Sequence, residues 1–142
     1  LADNNVISNL TVSATGTLVL PNAASIIHSG LSYISDIQTL DVDVATSTVK
    51  TIQPFMKKVN WVEVRFESSR GLFIGPDENH LIEMKQREFE DMSNPTALFT
   101  GTKEQGIKGD WNLSGNLFIR QRDPLPITIN AIISDIDVGE DH

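Results

Sequence analysis

Cysteine is absent from the 142-residue chain, which excludes disulfides, thiolate nucleophiles and sulfur-ligated zinc. No apolar run approaches the roughly 18 residues of a membrane-spanning helix. Hydrophobic residues still make up 39% of the chain, an ordinary share for a soluble globular domain, so a soluble protein with no membrane binding of its own is expected. An initiator Met is missing too: the chain opens Leu1-Ala2-Asp3 without the basic and apolar regions of a signal peptide. A fragment of a longer chain, a processed product or an engineered piece is expected. Basic residues are few, 11 against 19 acidic, giving a net charge of −8. Such a surface repels nucleic acid. That disfavours a monomeric DNA reader, yet it suits a channel past which DNA slides without being held.

Helix signals are also sparse. Thr46–Lys58 could form a short helical turn, but Pro54 interrupts it. What is abundant is period-2 alternation, the mark of half-buried strands. In "VNWVEVRFES", Val62, Val64 and Phe66 share one face, and Glu63, Arg65 and Glu67 share the other. "NLFIRQ" sets Leu117, Ile119 and Gln121 against Asn116, Phe118 and Arg120, and "ITINAIISDIDV" places Ile127, Ile129, Ala131 and Ile133 together. Shorter candidates are Val6–Val12, Thr17–Leu20, Ile26–Tyr33, Gln38–Val44, Gly71–Ile74, Leu81–Arg87 and Leu98–Thr100. Turn chemistry separates them at "ATG" before Thr17, "LPN" at Leu20–Asn22, "SSRG" at Ser68–Gly71, "GPDEN" at Gly75–Asn79, "SNP" at Ser93–Pro95 and "KGDWNLSGN" at Lys108–Asn116. The expectation is a single all-β domain over residues 1–142, an antiparallel sandwich or barrel-like fold of about ten short strands. Before Ser25 the only charged side chain is Asp3, so residues 1–24 could pack as a separate arm or hairpin.

Catalytic constellations are wanting. His28, His80 and His142 have no ligand-like spacing, and no nucleophile elbow, phosphate loop or dinucleotide fingerprint is present. No catalytic residue, metal or cofactor is assigned, and no enzyme is expected. Carboxylates cluster at Asp41/Asp43, at Asp135/Asp137 and at Glu88, Glu90 and Asp91. On strands the first two pairs would each share a face, able to bind calcium or serve as acid and base, although a solvated strand face explains them better. Trp61 and Trp111 could stack a sugar or a base, or serve as core or interface packing. With Tyr33, they motivate an alternative reading as a carbohydrate- or receptor-binding β-sandwich module.

The stretch "FIRQRDPLP", Phe118 to Pro126, breaks the pattern. Pro124 and Pro126 each fix φ and remove a ladder donor, so they mark a bend at a sheet corner or edge. Arg120 and Arg122 share strand parity and project to one side, with Asp123 next to them. Such a group can pair with carboxylates across a subunit contact or meet phosphates. The plainer reading is a solvated Arg120 weakly paired to Asp123. Arg120, Arg122, Asp123, Trp111 and Trp61 are the candidate subunit-interface residues.

Five segments, in order, carry a resemblance: "HSGLSYISDIQTLDVDV" (His28–Val44), "VRFESSRGLFIGPDEN" (Val64–Asn79), "LIEMKQREFED" (Leu81–Asp91), "LFTGTKE" (Leu98–Glu104) and "GDWNLSGNLFIRQRDPLPITINAIISDIDVG" (Gly109–Gly139). They cover most of the chain after Ser25, and the last is the most distinctive. The chain resembles the C-terminal part of the tail tube proteins, also called nozzle or tail stabilisation proteins, of short-tailed bacteriophages. The resemblance implies a structural virion protein of the phage tail, not an enzyme, assembled with other copies of itself in a ring of about six. The ring would sit below the portal and its adaptor and meet tail fibre or needle proteins. It would hold packaged DNA in and conduct it during ejection. Family members are several times longer, with a β-propeller-like body and other β domains, which this chain lacks.

Overall fold

Seven strands and no helix occur among the described residues of this computed structural model, which are 1–3, 5–45, 50–85 and 96–139. The strands are β1 (Ser35–Gln38), β2 (Lys57–Ser69), β3 (Leu72–Gly75), β4 (Ile82–Met84), β5 (Phe99–Gly106), β6 (Phe118–Gln121) and β7 (Ile129–Val138). They form two antiparallel sheets, ordered β1-β6-β3-β4 and β5-β2-β7. The all-β class read from the alternation is correct. The strands are fewer than about ten, and the sheets do not close into a barrel.

β2 is the spine. Its alternation sends Val62, Val64 and Phe66 fully inward, where they join Leu72, Ile74, Met84 and Ile119 of the other sheet in one apolar cluster. Burial of such a side chain contributes about 1.5–3 kcal/mol, so the sheets are held together by the faces that the strand parity selects.

Two bulges modify that parity. Between the pairs Val59↔Ile136 and Trp61↔Asp135, β2 carries an extra residue, Asn60; between Phe66↔Ile129 and Arg65↔Ala131, β7 carries Asn130. A one-residue insertion moves every later side chain to the opposite face. Hence Ile127, Ile129, Ile132 and Ile136 pack on the core, while Ile133 is turned out and is 52% exposed. The expected grouping of Ile127, Ile129, Ala131 and Ile133 is therefore corrected: the last two lie beyond the bulge, opposite Arg65 and Glu63 on the outer face.

The expected strands Val6–Val12, Thr17–Leu20 and Ile26–Tyr33 do not form, because no neighbouring strand supplies a ladder. The segment closes on itself instead. Leu1 and His28 exchange backbone hydrogen bonds, Asp3 N–H donates to the Ile26 carbonyl, and the Asp3 carboxylate accepts from the amides of Ser25 and Ile26. A turn at Ser13–Thr17, with Gly16 at φ 79°, reverses the loop, and a 2.8 Å hydrogen bond from Thr96 to Asn5 ties its base to the body. The strand expected at Gln38–Val44 ends at Gln38; Val42 N–H still donates to the Ser114 carbonyl. Of the helical turn expected at Thr46–Lys58, residues 46–49 lie outside the described residues, Gln53–Phe55 form a non-helical turn, and Lys57 and Lys58 open β2. Glu88, Glu90, Asp91 and the "SNP" turn also lie outside.

The double-proline stretch is a sheet corner. β6 ends at Gln121 in the four-stranded sheet, and β7 begins at Ile129 in the other. The link from β2 to β3 crosses between the sheets at the same place: Arg70 N–H donates to the Pro126 carbonyl, and the Ser69 hydroxyl donates to the carbonyls of Glu67 and Thr128. Gln121 donates to the Leu125 carbonyl from a buried position. Gly71, at φ 81°, has Leu125 where a Cβ would stand. The two crossings thus share one buried seam.

Candidate subunit interface

The outer face of the four-stranded sheet carries the arginines of the odd stretch. Arg120 of β6 lies between Asp36 of β1 and Phe73 of β3, and Phe73 faces Glu83 of β4. Its guanidinium clamps Asp36 through two hydrogen bonds of 2.7 and 2.8 Å, with Glu78 at 3.7 Å. A planar fork on a carboxylate is the best geometry for this pair. These hydrogen bonds hold the Asp36 carboxyl below its usual range and push Arg120 up. The partner of Arg120 is therefore Asp36 of the same chain and not the adjacent Asp123, since the sheet register, not sequence proximity, sets the pair.

Arg122, two residues on and past the strand end, is exposed and lies over the Phe73 ring, 4.4 Å from its centroid. Asp123 is half-buried and lines a cleft at the corner with Asn5, Val6, Arg70 and Gly71. So the structure places Arg120, Arg122 and Asp123 around one corner, with Arg120 tied down and Arg122 outward.

Trp61 and Trp111 part company. Trp61 stands on the outer face of β2 between Gly106 and Asp135, half-buried. Trp111 projects from the loop at the far end of the molecule and is 45% exposed. Asn112 shapes that loop: its carboxamide oxygen accepts from the Ser114 and Gly115 amides, and its backbone bridges to Lys57. The Trp111 ring lies against Gly139, whose amide donates to the Met56 carbonyl. Exposed Met56, Leu113 and Val138 complete an apolar surface at this end. Sequence reading found the tryptophan but not its neighbours, which come from three separate segments and share no local pattern.

Beneath this surface Lys57 is fully buried. Its ammonium donates to the carbonyls of Gln53, Phe55 and Leu113, so all three donors are satisfied by backbone oxygen. Nothing in the alternation marks it, since a lysine at the start of a strand ordinarily reads as solvated.

The acidic pairs have local explanations. Asp43 is not on a strand; its carboxylate accepts from the Thr51 hydroxyl and the Ile52 amide, which lower its pKa in that order. Asp135 and Asp137 do share a face, as expected, and both accept from the Asn60 carboxamide. His80 is paired to Asp77 at 2.8 Å within the "GPDEN" turn, and this contact is the main reason the Asp77 pKa is lowered. Among the described residues no group of three or more potential metal ligands converges.

No protein-family model matches the chain, and no curated protein matches it either.

Proposed function

We propose that this chain is a structural component of the tail tube, or nozzle, of a short-tailed bacteriophage, assembling with its own copies into a ring that retains DNA and conducts it below the portal. The observation that carries the reading is the ordered set of five motif segments ending in Gly109–Gly139. That last segment runs through the Trp111 loop, β6, the double-proline corner and β7, so it contributes to both sheets. The net charge of −8 supports the same reading, because a DNA conduit must not bind its cargo. Peptide mass spectrometry of purified virions tests it: the chain's peptides are expected in the tail fraction at a fixed ratio to portal. Their absence from intact virions would exclude the role.

A second reading, a carbohydrate- or receptor-binding module, is favoured by one observation, the exposure of Trp111 and Tyr33. Glycan-array binding abolished by Trp111→Ala would establish it.

A further inference from the structure

The chain exposes 9918 Å², whereas a compact monomer of its 15.7 kDa mass exposes about 7,300 Å². The excess of about 2,600 Å² exceeds the roughly 800 Å² that each partner contributes to a standard interface. Much of the surplus apolar surface lies in residues 5–34, where Leu31 is 95% and Val19 77% exposed, with Val12, Ile26 and Ile27 also outward. This arm is not a solvated linker. Linkers and disordered segments are rich in charge, whereas Asp3 is the only Asp, Glu, Lys or Arg before Ser35. Its base is held by the hydrogen bonds around Leu1, Asp3, Ser25, Ile26 and His28.

The arm and the Trp111 surface lie at opposite ends of the domain. Asn5 and Val6, at the arm's base, line the cleft beside Arg70 and Gly71, just past the end of β2. Met56 and Val138 flank the other end of β2, where Lys57 pairs with Val138. The 13 residues of β2 separate the two by about 40 Å. An apolar element at one end and an apolar surface at the other is a head-to-tail pair, the kind of contact that closes into rings. Charge points to the same partner. Every acidic residue but Asp3 lies beyond Ile34, so contact between two bodies sets like charges together, while an uncharged arm on a neighbour's body avoids that repulsion.

We infer that the arm of one copy docks on the Met56–Trp111–Leu113–Val138 surface of the next. The inference rests on the ring reading in taking a second copy as the occupant; the arm and the surface themselves come from the fold. Pre-ordering of the arm lowers the entropy cost of docking.

Light scattering on the full chain over a concentration series tests it with two variants at exposed positions, Leu31→Asp in the arm and Leu113→Asp in the surface. The wild type is expected above monomer mass, and each variant is expected to associate at least ten-fold more weakly. An equimolar mixture of the two variants retains one intact arm and one intact surface, so it is expected to give two-chain species that do not grow further. Misfolding of either variant would not produce that complementation. A wild-type assembly that both variants leave unchanged, or a mixture that stays monomeric, would overturn arm docking while leaving the ring reading in place. A wild type that is monomeric at every concentration would overturn both.

Discussion

At the residue scale, the carboxylates with depressed pKa make a signed prediction. Asp36, Asp43 and Asp77 are each stabilised as anions, chiefly by hydrogen bonds from Arg120, Thr51 and His80 respectively. Their contribution to stability is fully present above the unfolded aspartate value near ~4 and fades as pH falls through the lower folded values. Asp36→Asn should therefore lower the urea midpoint most at neutral pH, with the difference vanishing below about pH 3. A difference independent of pH would contradict the Arg120–Asp36 assignment. Lys57 supplies a second prediction. Lys57→Met keeps the aliphatic bulk but leaves the carbonyls of Gln53, Phe55 and Leu113 without their donor, which should cost about 2–3 kcal/mol in urea unfolding. Neither partnership was legible in the sequence. Asp36 and Arg120 lie 84 positions apart, and only the β1–β6 register joins them.

At the element scale, the sequence was most legible where alternation was uninterrupted. β2 and β6 carry their buried residues at the positions that parity assigned. β7 was misread halfway because a bulge leaves no mark on an Ile-rich run: an inward and an outward Ile look alike until the partner strand is known. Deleting Asn130 should restore simple alternation, turn Ile132 and Ile136 outward, and abolish cooperative thermal unfolding. β5 was recognised only to Thr100, since "GTKEQG" reads as a turn. It becomes a strand because the β2 ladder supplies its hydrogen bonds. Inward-pointing Lys103 and Gln105, opposite Val64 and Val62, blunt this edge against further pairing. The corner was anticipated from Pro124 and Pro126, and its glycine carries a test. Gly71→Ala must adopt φ near 81°, and the Leu125 methyl group in its path can swing aside, so backbone strain dominates. A loss of about 1–2 kcal/mol is expected in chemical denaturation.

At the scale of the whole molecule, the chain pairs a well-buried core with far more exposed surface than its size requires. Core strands at Val62, Val64, Phe66, Leu72 and Ile74 make a folded body, and Ile74→Ala should destabilise it by about 2–5 kcal/mol. The arm and the Trp111 end are left apolar and open. Sequence reading set the arm apart by its missing charge and singled out Trp111. It could not find the companion surface, because Met56, Leu113 and Val138 converge only through the β2–β7 pairing and the Lys57–Asn112 bridge. For the arginines of the double-proline stretch, the whole-molecule consequence is a division of labour. Arg120 secures the β1 edge, and Arg122 presents its charge at the corner.

The central claim, a subunit built to close a ring of its own copies, is tested most directly by native mass spectrometry of the full chain near neutral pH. The account predicts one closed stoichiometry that persists on dilution and collapses when Leu31→Asp is introduced. A single monomeric mass at all concentrations, unchanged by that substitution, would contradict it.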